Sequence, residues 1–253
     1  MKIRISNFNK IKTMKHILLL IFTFLNTFSF SQVSEIDQRF AIKVDLYKNQ
    51  DSFYEKTNWG DHHMLILEKI KEKKYQERKD YLNNSPQIIS FSSVYDTEIA
   101  ENFYGGYKAW GMIYQNQPYF NMLYAVDFQL GYTFVKYDVM GKNYNLIFIK
   151  KDSVLERQIG GSYPTMGLTG VLMSESTKWG TNFSIDDTDE KIRILFVDLN
   201  DQKENSYRQK GALGKLLHHK DLKKIAEKYK MKINSEKMTF NQVVQFFETI
   251  NQQ

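Results

Sequence analysis

The segment Ile192-Arg-Ile-Leu-Phe-Val-Asp-Leu199 sets the strongest limit on the fold. A β-strand sends successive side chains to opposite faces. Ile192, Ile194 and Phe196 therefore oppose Leu195, Val197 and Leu199. Both faces are apolar, and such a strand is satisfied only at the centre of a sheet covered on both sides.

The residues upstream read as further strands. From Phe120 to Leu130 the residues Phe120, Met122, Tyr124, Val126, Phe128 and Leu130 recur with period two, predicting a strand with one strongly apolar face. Gly131 breaks it, Tyr132 to Val139 resumes, and Met140-Gly141-Lys142-Asn143 forms a turn into a strand over Tyr144 to Ile149. Ile88 to Tyr95 and Tyr107 to Tyr114 are expected strands too. Short turns between them point to an antiparallel meander.

Helical spacing marks the two ends of the chain. Ser34, with Glu35 and Asp37 after it and Phe40, Val44 and Tyr47 at apolar positions, reads as a capped helix start. A second helix is expected from Asp61 through Leu65, Leu67 and Ile70 into Glu68–Tyr81. Its interleaved charges, such as Glu68 with Lys71, suit a solvated face. Asp221 opens a helix carrying Leu222, Ile225, Ala226 and Tyr229. Thr239 caps another with Phe240, Val243, Val244, Phe247 and Ile250. Helices, then strands, then helices give the α+β class: an antiparallel, aromatic-rich β-meander flanked by N-terminal and C-terminal helices. No repeat or low-complexity linker divides residues 32–253, which are expected to form a single domain.

Residues 1–31 read as something else. The apolar run Ile17 to Leu25, interrupted only by Thr23, is too short for the ~20 residues of a membrane span, and Ile17 to Phe22 is apolar all round where a core helix would be striped. Lys10, Lys12 and Lys15 precede it, and Ser29 and Ser31 offer small residues for a cut before Gln32. This is the build of a cleavable secretory signal, and Met14 could begin it. With no cysteine after the run, a lipid-modified N-terminus is excluded. The expectation is an exported protein of the periplasm or the extracellular space, meeting the membrane only through this segment.

Charge then reads differently. Lys2, Arg4, Lys10, Lys12 and Lys15 carry five of the formal +6 charges, and no acid offsets them before residue 32. The remainder is near neutral, which argues against nucleic acid as a partner. A small molecule, a peptide or an envelope component remains. The absence of cysteine removes disulfides and thiol chemistry, so the core alone must hold the fold.

Several stretches have the composition of binding sites. Arg208-Gln-Lys-Gly211-Ala-Leu213-Gly214 lies between a strand and a helix and resembles the coenzyme-A-binding turn of the N-acetyltransferases, which bind phosphate on backbone amides. It departs from that turn at Leu213, with the second glycine displaced to Gly214. The segment is expected to be a flexible lead-in to the helix, and no cofactor is assigned. Asp186-Asp-Thr-Asp-Glu190 and Asp198-Leu-Asn-Asp201 lack the spacing of a calcium loop and suit turns and caps. Gly-x-Ser-x-Gly is absent.

Two histidine pairs, His62-His63 and His218-His219, offer zinc-ligating imidazoles. Neighbours on a helix diverge by about 100 degrees, and the zinc helix motif uses i and i+4, so sequence by itself assigns no metal to His62, His63, His218 or His219. The ligand-binding face expected from sequence is aromatic: Tyr107, Trp110, Met112 and Tyr114, with Gln115, Asn116 and Gln117 supplying amides, suited to sugars, peptides or rings. The functional expectation is a non-catalytic binding or envelope-assembly module using that face. The alternative is a hydrolase of envelope material with a His/carboxylate site, and no catalytic residue is named.

Overall fold

The computed structural model describes residues 41–67, 82–84, 86–127, 130–151, 153–161, 180–204 and 210–253. Met1–Ile42 and Lys43–Gln253 are separate units, and the account below concerns the second. The expected secretory segment, the first helix start at Ser34 and the charged Glu68–Tyr81 stretch lie outside the described residues.

The fold is α+β, with antiparallel sheets and a few helices. Strand β1 (Ala41–Lys43) crosses the unit boundary and leads to β2 (Asp45–Tyr47). A short helix, α1 (Gln50–Tyr54), follows. Then come β3 (His63–Ile66), β4 (Ile88–Ser90), β5 (Ser93–Asp96), β6 (Glu101–Asn102), β7 (Gly111–Tyr114), β8 (Gln117–Asn121), β9 (Thr133–Lys136) and β10 (Tyr144–Lys150). Helix α2 (Val154–Gly161), β11 (Phe183–Ser184), β12 (Lys191–Glu204), β13 (Lys210–Leu216), α3 (His219–Lys228) and α4 (Phe240–Gln252) complete the described chain. One sheet runs β2-β7-β8-β9-β4. A second runs β10-β12-β11, with β13 also paired to β12. In a third, β3 pairs with β5 and β5 with β6, both antiparallel.

Strand β12 has the two-sided burial that its sequence demands. Leu195, Val197 and Leu199 join one hydrophobic cluster with Trp110, Phe120 and Val135 of the β2–β9 region. Ile194 and Phe196 join another with Leu222 and Ile225 of α3 and Val243 and Phe247 of α4. Asn251 fastens α4 to the start of β10: its Oδ1 accepts from Asn143 N at 3.2 Å and Tyr144 N at 2.9 Å, and its Nδ2 donates to Tyr144 O at 2.9 Å. Thr239 is the N-cap residue of α4, and Gln242 Oε1 accepts from Thr239 N at 3.0 Å.

Four local expectations are corrected. Val44 and Tyr47 belong to extended chain and β2, not to a helix. Asp61 opens a turn, and His63–Ile66 is strand β3, because Leu65 pairs with Val94 of β5 at a buried ladder position. The strand expected over Phe120–Leu130 ends at Asn121, and Met122–Tyr124 is a 3₁₀ turn. Asn121 dictates that break: fully buried, it accepts from Leu123 N at 2.9 Å and donates to Tyr107 O at 2.9 Å and Ala109 O at 2.6 Å. A side chain that bonds nearby backbone competes with a ladder.

The fourth correction concerns the glycine segment near Gly211, which is strand β13. A Cβ on Gly211 would stand 2.5 Å from Trp110 Cδ1, and one on Gly214 would stand 2.9 Å from Phe120 Cε1. The glycines admit the close approach of β13 to the aromatic core. Where the β12–β13 register shifts between Val197 and Gln202, the buried Gln50 side chain serves the backbone. Its Nε2 donates to Leu199 O at 2.9 Å and its Oε1 accepts from Ala212 N at 3.2 Å. Between β7 and β8, Gln115 and Asn116 both take positive φ (49 and 59°), as a two-residue hairpin turn of the primed type requires.

Gly211→Ala is expected to destabilise the fold by about 1–3 kcal/mol through overpacking against Trp110. Urea unfolding measures it, and an unchanged midpoint would contradict the close-approach account.

Candidate functional site

His62 and His63 sit where a turn becomes a strand. Trp59 N donates to Leu46 O at 2.8 Å, and Gly60 then takes φ +122°. A Cβ at Gly60 would stand 2.2 Å from His62 Cε1, so only glycine leaves the imidazole its place. His62 lies in the turn and His63 begins β3, which is why neighbouring residues converge here instead of diverging as on a helix. Their ring centroids are 4.5 Å apart.

Asp96 closes the group from β5. Ladder register sets it directly opposite His63. Thr97 N and Oγ1 both donate to His62 O, at 2.8 and 3.0 Å, fixing the tight turn that follows. His62 Nε2 is 3.4 Å from Asp96 Oδ2, and His63 Nε2 is 3.9 Å from the same oxygen. On its other side, His62 Nδ1 is 3.4 Å from Glu98 Oε2. His63 Nδ1 is 3.3 Å from Gly60 O.

Burial is graded across the group. His63 is 1% exposed and Asp96 7%, while the His62 side chain is 30% exposed and Glu98 72%. Burial pushes the Asp96 pKa up, but Glu98 N–H, Ile99 N–H and the two imidazoles outweigh it, and the net shift is downward. Asp96 Oδ1 receives those N–H groups at 2.9 and 3.3 Å, which leaves Oδ2 to the histidines. The ring of Phe103 stacks 4.7 Å from His63 and meets Trp59 edge-on at 5.1 Å, walling the group on its apolar side.

Among the described residues, His62, His63 and Asp96 are the one group of three such side chains whose donor atoms converge within 4.8 Å. The arrangement can bind a cation, hold a proton between imidazole and carboxylate, or receive a polar ligand group through the half-open His62. Sequence reasoning named both histidines but missed Asp96 and Glu98. The only signal for them was the Asp96-Thr97-Glu98 turn composition; nothing local reveals the β3–β5 register.

The second pair has a different setting. His218 N donates to Asp221 Oδ2 at 3.1 Å, His219 N donates to Thr181 Oγ1 at 3.3 Å, and the His219 ring meets Phe183 edge-on at 5.7 Å. These contacts organise the N-terminus of α3. Lys215 Nζ lies 3.4 Å from Asp221 Oδ1.

The aromatic candidates divide between core and surface. Trp110 and Met112 are fully buried, and Trp110 Nε1 donates to Ala212 O at 3.2 Å. The face expected to meet a ligand there is enclosed by Phe53, Phe120 and β13. Tyr107 and Tyr114 are half-buried, with Lys108 Nζ 5.3 Å over the Tyr107 ring.

Compared with protein-family models, curated proteins and solved structures, the chain matches none. Among the described residues, no helix is long and apolar enough to cross a membrane.

Asp127 beside α3 gives a pH prediction. Its Oδ2 accepts from Leu216 N at 2.6 Å. Burial raises its pKa above 3.8 and Asp221 adds to that, against the lowering by Leu216 N–H, His218 and Lys215. A carboxyl whose pKa is higher folded than unfolded binds protons more tightly in the folded chain. Its contribution to stability therefore falls as pH rises from 3.8 through the folded value. Asp127→Asn keeps an acceptor for Leu216 and is expected to remove that slope. Urea midpoints across this interval test it: equal slopes in both proteins would refute the assignment.

Proposed function

We propose that this chain is an exported binding module of a bacterial envelope, working in the periplasm or outside the cell, with helices flanking its sheets. Its ligand site is the His62–His63–Asp96 end of the β3–β5–β6 sheet. The observation that carries the reading is the graded cluster itself: two buried polar side chains, held by strand register and by Gly60, behind one half-open imidazole. Buried polar groups are costly unless satisfied, and the two hydrophobic clusters draw no residue from β3, β5 or β6. Packing of those two clusters therefore does not account for the histidine, and Asp96 serves the turn after β5 as well as the histidines.

Export rests on the build of residues 14–31. The near-neutral charge of the remainder favours a small molecule, a peptide or an envelope component over nucleic acid. A hydrolase of envelope material is the second reading, and His62 standing between Asp96 and Glu98 favours it, since an imidazole beside carboxylates suits proton transfer.

Intact mass of the protein from its own host, native and then denatured, tests both parts. A chain beginning at Gln32 is expected, with a native adduct that His62→Ala loses. Retention of residues 14–31 would overturn cleavage, and a native mass without adduct in both proteins would overturn the site. Turnover of envelope fragments lost in His62→Ala would select the hydrolase.

A further inference from the structure

We infer that His62 Nε2, His63 Nε2 and Asp96 Oδ2 are the protein ligands of a zinc-class divalent cation. This rests on the reading of that sheet end as the ligand site and names what occupies it.

The three donor atoms lie within 4.8 Å of one another, close enough for small side-chain rotations to bring them onto one tetrahedral centre. Zinc bonds nitrogen at about 2.0–2.1 Å and carboxylate oxygen at about 2.0–2.2 Å. A tetrahedron with such bonds has edges of about 3.3–3.5 Å. The His62 Nε2 to Asp96 Oδ2 separation is 3.4 Å, one such edge. The His63 Nε2 to Asp96 Oδ2 separation is 3.9 Å, half an ångström longer, within reach of small torsions in either side chain.

The outer partners also fit. A metal-bound imidazole uses one nitrogen for the metal and donates its other N–H to a carboxylate or a carbonyl. His62 has Glu98 Oε2 for that purpose at 3.4 Å, and His63 has Gly60 O at 3.3 Å. In the tautomer that leaves each Nδ1–H to its outer partner, both Nε2 lone pairs face the lone pairs of Asp96 Oδ2. Acceptors facing acceptors repel, and a cation between them turns the repulsion into three bonds.

Three protein ligands leave one position of a tetrahedron open. Because His62 supplies the exposed edge of the cluster, that position faces solvent and takes water or a donor group from the bound ligand. Two imidazoles and a carboxylate suit zinc, and also iron(II), copper(II) or nickel(II), better than calcium or magnesium, which take oxygen donors.

The experiment uses protein purified from its own host, stripped with a chelator, and titrated with zinc chloride against a colour-changing indicator. One equivalent per chain is expected, and cobalt(II) should give the strong visible bands of a tetrahedral site. At a hundredfold excess over Kd, Tm should rise by roughly 5–10 °C. His62→Ala and Asp96→Asn should lose the tight equivalent. Glu98→Ala, which removes no ligand from an exposed position, should weaken binding about 10–100-fold. Circular dichroism of each variant separates loss of the site from loss of the fold. No tight equivalent in the folded wild type, or one that His62→Ala and Asp96→Asn both leave intact, would overturn the inference. If zinc fails while the native adduct still depends on His62, the site stands and the metal falls.

Discussion

The two-sided burial of β12 makes three layers meet along one strand. Leu195, Val197 and Leu199 press toward the aromatic residues of the β2–β9 sheet, and Ile194 and Phe196 press toward α3 and α4. Each such side chain contributes about 1.5–3 kcal/mol on burial. The five together are of the same order as the net stability of a whole domain, about 5–15 kcal/mol. Neither covering layer is optional, since uncovering either face of β12 would expose a row of apolar side chains.

Joining three layers on one strand creates backbone problems that side chains then solve. At the register shift in β12–β13, Gln50 reaches in from α1 to bind both Leu199 O and Ala212 N. Buried donors and acceptors in native proteins are almost always paired, so this glutamine is structural despite its polarity. Gly211 and Gly214 answer the opposite demand, admitting Trp110 and Phe120 where any side chain would collide.

What the sequence made legible follows from the range of each signal. The doubly apolar strand, β10, α3 and the capped α4 are encoded by neighbours in the chain, and those segments form where expected. The Phe120–Leu130 alternation misled because one residue, Asn121, bonds backbone up to 14 positions away, which no periodicity records. Asp61–Leu67 misled because helical spacing over so few apolar residues does not exclude a strand. The site was half legible. Histidines are visible by type, but the pairing of His63 with Asp96 is a product of register across 33 residues. Likewise Trp110, a surface ligand platform by composition, lies in the core because β13 covers it.

Stability and site chemistry are spatially separate in this chain. The polar group of His62, His63 and Asp96 sits on a small sheet that contributes no residue to either large cluster. Its own apolar support is modest, chiefly Leu65 and Val94 at paired ladder positions with Phe103 stacked on His63. A buried histidine beside a buried carboxylate is a poor choice for stability, because desolvation offsets most of what the pair gains. Placed at the centre of β12 it would compete with the packing that holds the three layers together. Placed at the end of the β3–β5 ladder, where one strand pair and a glycine turn fix its geometry, it costs the main core nothing. It also keeps one imidazole within reach of solvent. That placement suits the ligand site proposed above, and a purely structural imidazole–carboxylate pair would not need it.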